Sequence, residues 1–160
     1  MEFLIVLFCI AITLHNLEEA IWLPAWSRQS SRVQKSVAEG EFRFAVTIIT
    51  VIAYLSAISY LIWPYANLTK WIFIGFLGSM IINAVFPHLA AAILMKKYAP
   101  GLVTGILLNI PVNCFILSHM YAENTVTPWE LLLSTIIVGG AVLSLIPLLF
   151  KAGRKITEIK

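Results

Sequence analysis

The sequence predicts an all-α, polytopic membrane bundle of five transmembrane helices, N-terminus outside and C-terminus cytoplasmic, and three observations carry that prediction. Hydrophobic residues fill 60% of the 160 positions and charged residues only 12%, with a mean hydropathy of +0.90, far from the make-up of soluble domains. Five apolar runs are long enough to cross the bilayer, whose hydrocarbon of about 30 Å takes about 20 helical residues. All of the 11 Lys and Arg residues except Lys70 then fall on one side, which the retention of positive charge in cytoplasmic loops assigns to the cytoplasm.

The first helix is placed near 3–24; with no basic flank before it and no small-residue cleavage site after it, it is expected to stay in the mature protein rather than be removed as a signal peptide. Ser27 to Glu41, the most polar stretch, carries Arg28, Arg32 and Lys35 and reads as a short amphipathic surface segment leading to Arg43. The second helix, near 42–63, holds Thr47, Thr50 and Tyr54 as a polar stripe whose hydroxyls can bond their own helix backbone. The third, near 71–95, follows Lys70 and a chance glycosylation sequon at Asn67-Leu-Thr69, contains Ala90-Ala91-Ala92 and ends at Lys96 and Lys97. The fourth, near 101–121, opens with Gly101 and Gly105, a GxxxG spacing for close backbone packing within one chain or between the copies of a homodimer. The fifth, near 129–150, precedes Lys151, Arg154, Lys155 and Lys160. Trp22, Trp26, Trp63, Trp71 and Trp129 all fall near helix ends, where indole rings suit the headgroup boundary. The connections are too short for a soluble domain, so residues 1–160 form a single transmembrane domain and the bundle must house any chemistry. Cys9 and Cys114, without CxxC spacing, read as buried free thiols. The net charge of +3 is a topology signal; membrane lipids are the expected partners, and no nucleic acid is.

Against this background five polar residues stand out. His15, Glu18 and Glu19 lie in the first hydrophobic helix, Asn83 and His88 in the third, and a charged side chain near the bilayer centre costs about 2.5–3.5 kcal/mol on insertion scales. Such groups need protons, cationic partners or a metal. His15 and Glu19 share one helix face, whereas adjacent Glu18 and Glu19 diverge by about 100°. Zinc proteases of the H-x-x-E-H type hold metal with the outer pair and use the inner Glu as base; by that analogy His15 and Glu19 are ligands and Glu18 is the catalytic base. The third helix runs in the same direction as the first and brings Asn83 and His88 to a matching depth. Pro87 cannot donate to the Asn83 carbonyl, so a kink is expected between them; on an ideal helix the two would stand about 140° apart. Asn109, Asn113 and Tyr54 are the candidates for surrounding hydrogen bonds. His119, near the outer end of the fourth helix, reads as interfacial.

The string His15-Asn-Leu-Glu18-Glu19, followed by Asn83-x-x-x-x-His88 and Pro100-Gly101, resembles the HXXEE-domain family of small bacterial integral membrane proteins. That resemblance implies a place in a bacterial cytoplasmic membrane and says little about activity. The pairing of two glutamates with a histidine on another helix is also similar to CAAX-type intramembrane proteases, although Ile21, Trp22 and Leu23 stand where that pattern has an arginine.

Two imidazoles and a carboxylate, from His15, His88 and Glu19, are the ligand pattern of catalytic zinc and of non-haem iron sites. The expected cofactor is therefore a divalent metal, zinc favoured over iron, with Asn83 as fourth ligand or orienting group. The expected function is that of a metal-dependent intramembrane hydrolase or oxidase acting on a lipid-soluble or small-molecule substrate. The alternatives are a proton-coupled transporter using the same glutamates, with Pro87 and Pro111 breaking helices, and an accessory protein whose polar cluster only fixes helix packing.

Overall fold

The computed structural model describes residues 1–30 and 36–158. Arg32, Lys35 and Lys160, counted for orientation, and the middle of the proposed surface segment lie outside the described residues. Five helices are long and apolar enough to cross a membrane: Glu2–Gln29, Glu39–Ile62, Asn67–Met95, Leu102–Ala122 and Pro128–Thr157, here the first to fifth spans. Among the described residues there is no strand.

The first span outruns its expected end at residue 24, passing through Pro24 to Gln29. Pro24 has no N–H for the Ala20 carbonyl, and Arg43 of the second span supplies one instead, Nε to O at 3.3 Å. Ser27 secures the next turn, its hydroxyl donating to the Pro24 carbonyl at 2.9 Å and accepting from the Val37 N–H at 3.1 Å. Small residues of the second span, Ala53 and Ala57, are fully buried.

The third span is regular from Asn67 to Asn83 and then breaks. Residues Ala84–Leu89 form a wide turn in which Phe86 is extended (φ −132°, ψ 114°), and the Phe86–Pro87 peptide is cis. Helix resumes at Ala90–Met95. The fourth span starts at Gly101, whose φ of +87° suits only glycine without strain, and widens over Gly105–Asn109 ahead of Pro111.

The fifth span also exceeds its expected end at 150, continuing to Glu158. Its tail docks on the second span: Arg154 Nε donates to Glu41 Oε1 at 2.7 Å, and Gly153 lies against Glu41 and Phe44. At the opposite end Lys70 Nζ reaches Glu130 Oε1 at 2.7 Å. Between these ends the third and fifth spans touch through glycines. A Cβ on Gly75 would stand 2.6 Å from the Ser134 carbonyl oxygen, and one on Gly78 would strike the Thr135 hydroxyl. Lipid offers no hydrophobic drive between helices, so such close backbone contact is what holds them. Gly75→Val is therefore expected to lower stability by about 1–3 kcal/mol through overpacking, read as an earlier thermal transition in detergent.

The apolar core fills the half of the bundle where the first span begins. Phe8 meets the edge of Phe73 with ring centres 5.4 Å apart, Tyr60 stacks on Phe73 at 5.1 Å, and Ile12, Ile74, Leu77, Ile116 and Met120 close around them. Cys9 is half-buried and Cys114 exposed, both free thiols; the expectation that both are buried fails for Cys114, which sits on an outward face of the fourth span.

Candidate metal centre

Where the aromatic core ends, the interior turns polar. His15, fully buried, and Glu19 stand one turn apart on the first span, His15 Nε2 3.7 Å from Glu19 Oε1. His88, almost fully buried, reaches the same oxygen with Nε2 at 2.8 Å. The Asn83 amide nitrogen lies 3.1 Å from His15 Nε2 and 3.2 Å from His88 Nε2. The imidazole planes are nearly perpendicular, at 85° with centroids 5.2 Å apart.

The helix break makes this arrangement possible. Five residues of regular helix would turn His88 away from Asn83; the wide turn with extended Phe86 swings the imidazole back so that both side chains face the first span. The two histidines and Glu19 can each offer one ligand atom, with all three atoms within 4.8 Å of one another. Tetrahedral ligands at bond lengths of 2.0–2.2 Å stand about 3.3–3.6 Å apart; the His15–Glu19 separation of 3.7 Å is near that range, and the 2.8 Å of His88–Glu19 is a hydrogen-bond length that would open by about 0.5 Å around an ion. The donor set thus fits a divalent metal.

Glu18 occupies a place that spacing did not suggest. Expected as a base facing the metal, its carboxylate is instead taken up by the start of the fourth span: Oε1 accepts from the Gly101 N–H at 2.7 Å and from the Tyr98 hydroxyl, Oε2 from the Thr104 N–H at 3.0 Å and the Thr104 hydroxyl at 2.6 Å. A carboxylate at a helix N-terminus satisfies orphan amides and meets the positive end of the helix dipole. Burial and the bond to Glu18 hold the Tyr98 hydroxyl above its usual pKa, so it stays protonated and donating at neutral pH.

Thr104 links this anchor to the candidate ligands, because its Oγ1 is also 3.1 Å from His15 Nδ1. A carboxylate only accepts, so the threonine proton points to Glu18 and the hydroxyl oxygen receives the Nδ1 proton of His15. That assigns the tautomer: the His15 Nε2 lone pair faces Glu19 and His88. Carboxylate partners behind a ligating histidine fix its ring and tautomer in many metal sites, and here the carboxylate acts through one intervening hydroxyl.

Gly101 and Gly105 complete the enclosure. A Cβ on Gly101 would lie 2.7 Å from His88 Cε1 and 3.0 Å from His15 Cε1; one on Gly105 would meet the Ala84 Cβ at 3.0 Å. The GxxxG spacing therefore packs within the chain, against the histidines.

Of the three expected supporting residues none bonds to the cluster. Tyr54 is 2.6 Å from the Thr13 hydroxyl and donates to the Cys9 carbonyl, on the apolar-core side of His15. Asn109 and Asn113 are fully buried on the fourth span, yet neither amide has a hydrogen-bond partner among the described residues. Thr47 and Thr50 bond the carbonyls one turn back, as hydroxyls in helices do. Sequence reasoning missed Tyr98 and Thr104; the one available signal was the Pro100-Gly101-x-x-Thr104 order, which resembles the start of a helix.

A family model described as a protein of unknown function with HXXEE motif matches residues 6–116, a stretch that includes His15, Glu18, Glu19, Asn83, His88 and Thr104 and stops short of the fifth span. The chain is 59% identical over 157 residues to the uncharacterized protein YrkK of Bacillus subtilis (strain 168), covering 98% of this chain and 99% of that protein. No solved structure matches.

Proposed function

We propose, given that the chain belongs to the HXXEE family of proteins of unknown function, that it is a metal-dependent intramembrane enzyme with a divalent ion held by His15, Glu19 and His88 and with Asn83 as fourth ligand or orienting amide. The observation that carries this reading is the convergence of two imidazole nitrogens and one carboxylate oxygen from two spans, one imidazole pre-set by Thr104. A bound ion would supply Lewis acidity, suited to hydrolysis if it is zinc and to oxidation if it is iron. Zinc is favoured over iron on the donor types alone, two imidazoles and one carboxylate with a position left open.

Within this reading Glu18 is a positioning residue, since its oxygens are committed to Gly101, Tyr98 and Thr104. Its role as base gives way to that of holding His15 through Thr104. The substrate is lipid-soluble or a small molecule that reaches the site from the bilayer. The basic end of the bundle faces the cytoplasm of a bacterial cell, which puts the cluster in the cytoplasmic half of the membrane.

The 2.8 Å contact of His88 with Glu19 also suits a proton-exchanging pair, the core of a proton-coupled carrier. Metal analysis separates the two readings. Untagged wild-type protein measured by plasma mass spectrometry is expected to carry zinc or iron in near-stoichiometric amount, and His15→Ala and His88→Ala are each expected to lose it. Absence of metal from the wild type after reconstitution would overturn the enzyme reading in favour of proton exchange or structural hydrogen bonding.

A further inference from the structure

A cavity of about 500 Å³ lies between the third and fifth spans on the outer face of the cluster. Its size and mostly apolar lining are those of a small-molecule site, in which a few placed polar groups fix orientation. Two features single it out among the depressions of a lipid-facing surface. The spans are pressed together at Gly75, Gly78 and Gly139 and part where the third span breaks, so that a Cβ on Gly140 would meet nothing within 4 Å. The cavity wall also includes Asn83, the residue whose amide lies within 3.2 Å of both metal-facing nitrogens. Asn83 thus has one side in the cavity and the other on the cluster. Apart from the Ser79 and Thr135 hydroxyls toward its packed end, the rest of the wall, including Met80, Ile82, Phe86, Ile136 and Leu143, is apolar. Phe86 and Leu143 are about 70% exposed on that side, at the depth where a membrane offers only lipid chains.

We infer that this groove is the substrate entrance of the proposed enzyme and binds the hydrocarbon chain of a membrane lipid, which slides in laterally between the third and fifth spans and presents its reactive group at Asn83. The inference rests on the metal-centre reading for its chemistry and on the continuity of groove and cluster for its placement. The apolar wall accepts an acyl chain without leaving a polar group unmet, and the Asn83 amide is the group beside the cluster that can engage a polar segment along it.

The test uses full-length protein in nanodiscs containing a phosphatidylcholine with a diazirine-bearing palmitoyl chain, photolysed and mapped by peptide mass spectrometry, with metal content measured on the same preparations. Labelling is expected to concentrate on Phe86, Ile136 and Leu143, well above that of lipid-facing Val51 and Leu55 on the second span. Gly140→Phe fills the groove from a position with open space, so the fold is kept; in it the groove labelling is expected to be lost while metal content matches wild type. Labelling spread evenly over the spans, or unchanged in Gly140→Phe, would overturn the inference and mean ordinary annular lipid. Groove labelling that disappears in Gly140→Phe in a protein without metal would leave the entrance standing and sink the metal centre.

Discussion

Gly101→Ala is expected to abolish metal binding and to cost about 2–5 kcal/mol of stability, combining about 1–2 kcal/mol for an L-residue forced into left-handed backbone with about 1–3 kcal/mol for overpacking. The backbone there has φ +87°. The added methyl would sit 2.7 Å from His88 Cε1 and 2.9 Å from its Nδ1, and neither imidazole can retreat: His15 is tied to Thr104 at 3.1 Å and His88 to Glu19 at 2.8 Å. Relief therefore has to come from separating the two rings, which is the change that spoils a chelate. Metal content by mass spectrometry together with a thermal melt checks this, and a Gly101→Ala protein with full metal would show that the fourth span can move aside.

Glu18→Ala carries the second large effect. It strips the acceptor from two backbone N–H groups and the Thr104 hydroxyl at once, at a helix start inside the bundle. Hydrogen bonds to a charged partner are worth about 1.5–3 kcal/mol each, and buried donors left unmade cost about 1–3 kcal/mol. The site is part-buried and water takes up some of the freed donors, so a net loss of about 1–3 kcal/mol is expected, with metal affinity falling about 10–100-fold as His15 loses its outer support. Thr104→Val separates the two contributions: it keeps the backbone N–H on Glu18 but removes the hydroxyl between Glu18 and His15, so affinity should fall by about the same 10–100-fold with a much smaller shift in melting. If Thr104→Val binds metal like wild type, the Glu18–Thr104–His15 chain is scaffolding alone.

How much of this was legible in the sequence depends on the kind of information each feature needs. Five spans follow from run length and hydropathy, which act locally, and the structure has five. Span ends were less legible. The first helix was expected to end near 24, yet it continues through Pro24 because Arg43, distant in sequence, serves the freed carbonyl; the fifth span runs past 150, where Arg154 meets Glu41. The cluster was legible from the rarity of His and Glu in lipid, and the proline-induced break between Asn83 and His88 from the missing N–H of Pro87, but the amount by which the break re-aims His88 was not. The place of Glu18 was hidden for a different reason. Helical spacing ranks side chains by direction, and it carries nothing about a loop such as Tyr98 to Gly101 folding over the first span. Asn109 and Asn113 show the reverse: their burial was legible, but the partners expected of them are not among the described residues.

The division of labour between the spans bears on the order in which the protein is made. Every residue that touches the candidate metal lies between His15 and His88, the last support is Thr104, and the family match ends at residue 116, while the fifth span begins only at Pro128. A chain synthesised at about 5–20 residues per second therefore has every candidate ligand polymerised seconds before the first residue of its final helix. Until that helix docks on Gly75 and Gly78, the outer side of Asn83 faces the bilayer without a wall. The residues of the candidate centre are thus made before the wall that flanks them, and the last helix to be made is the one that closes the side of Asn83.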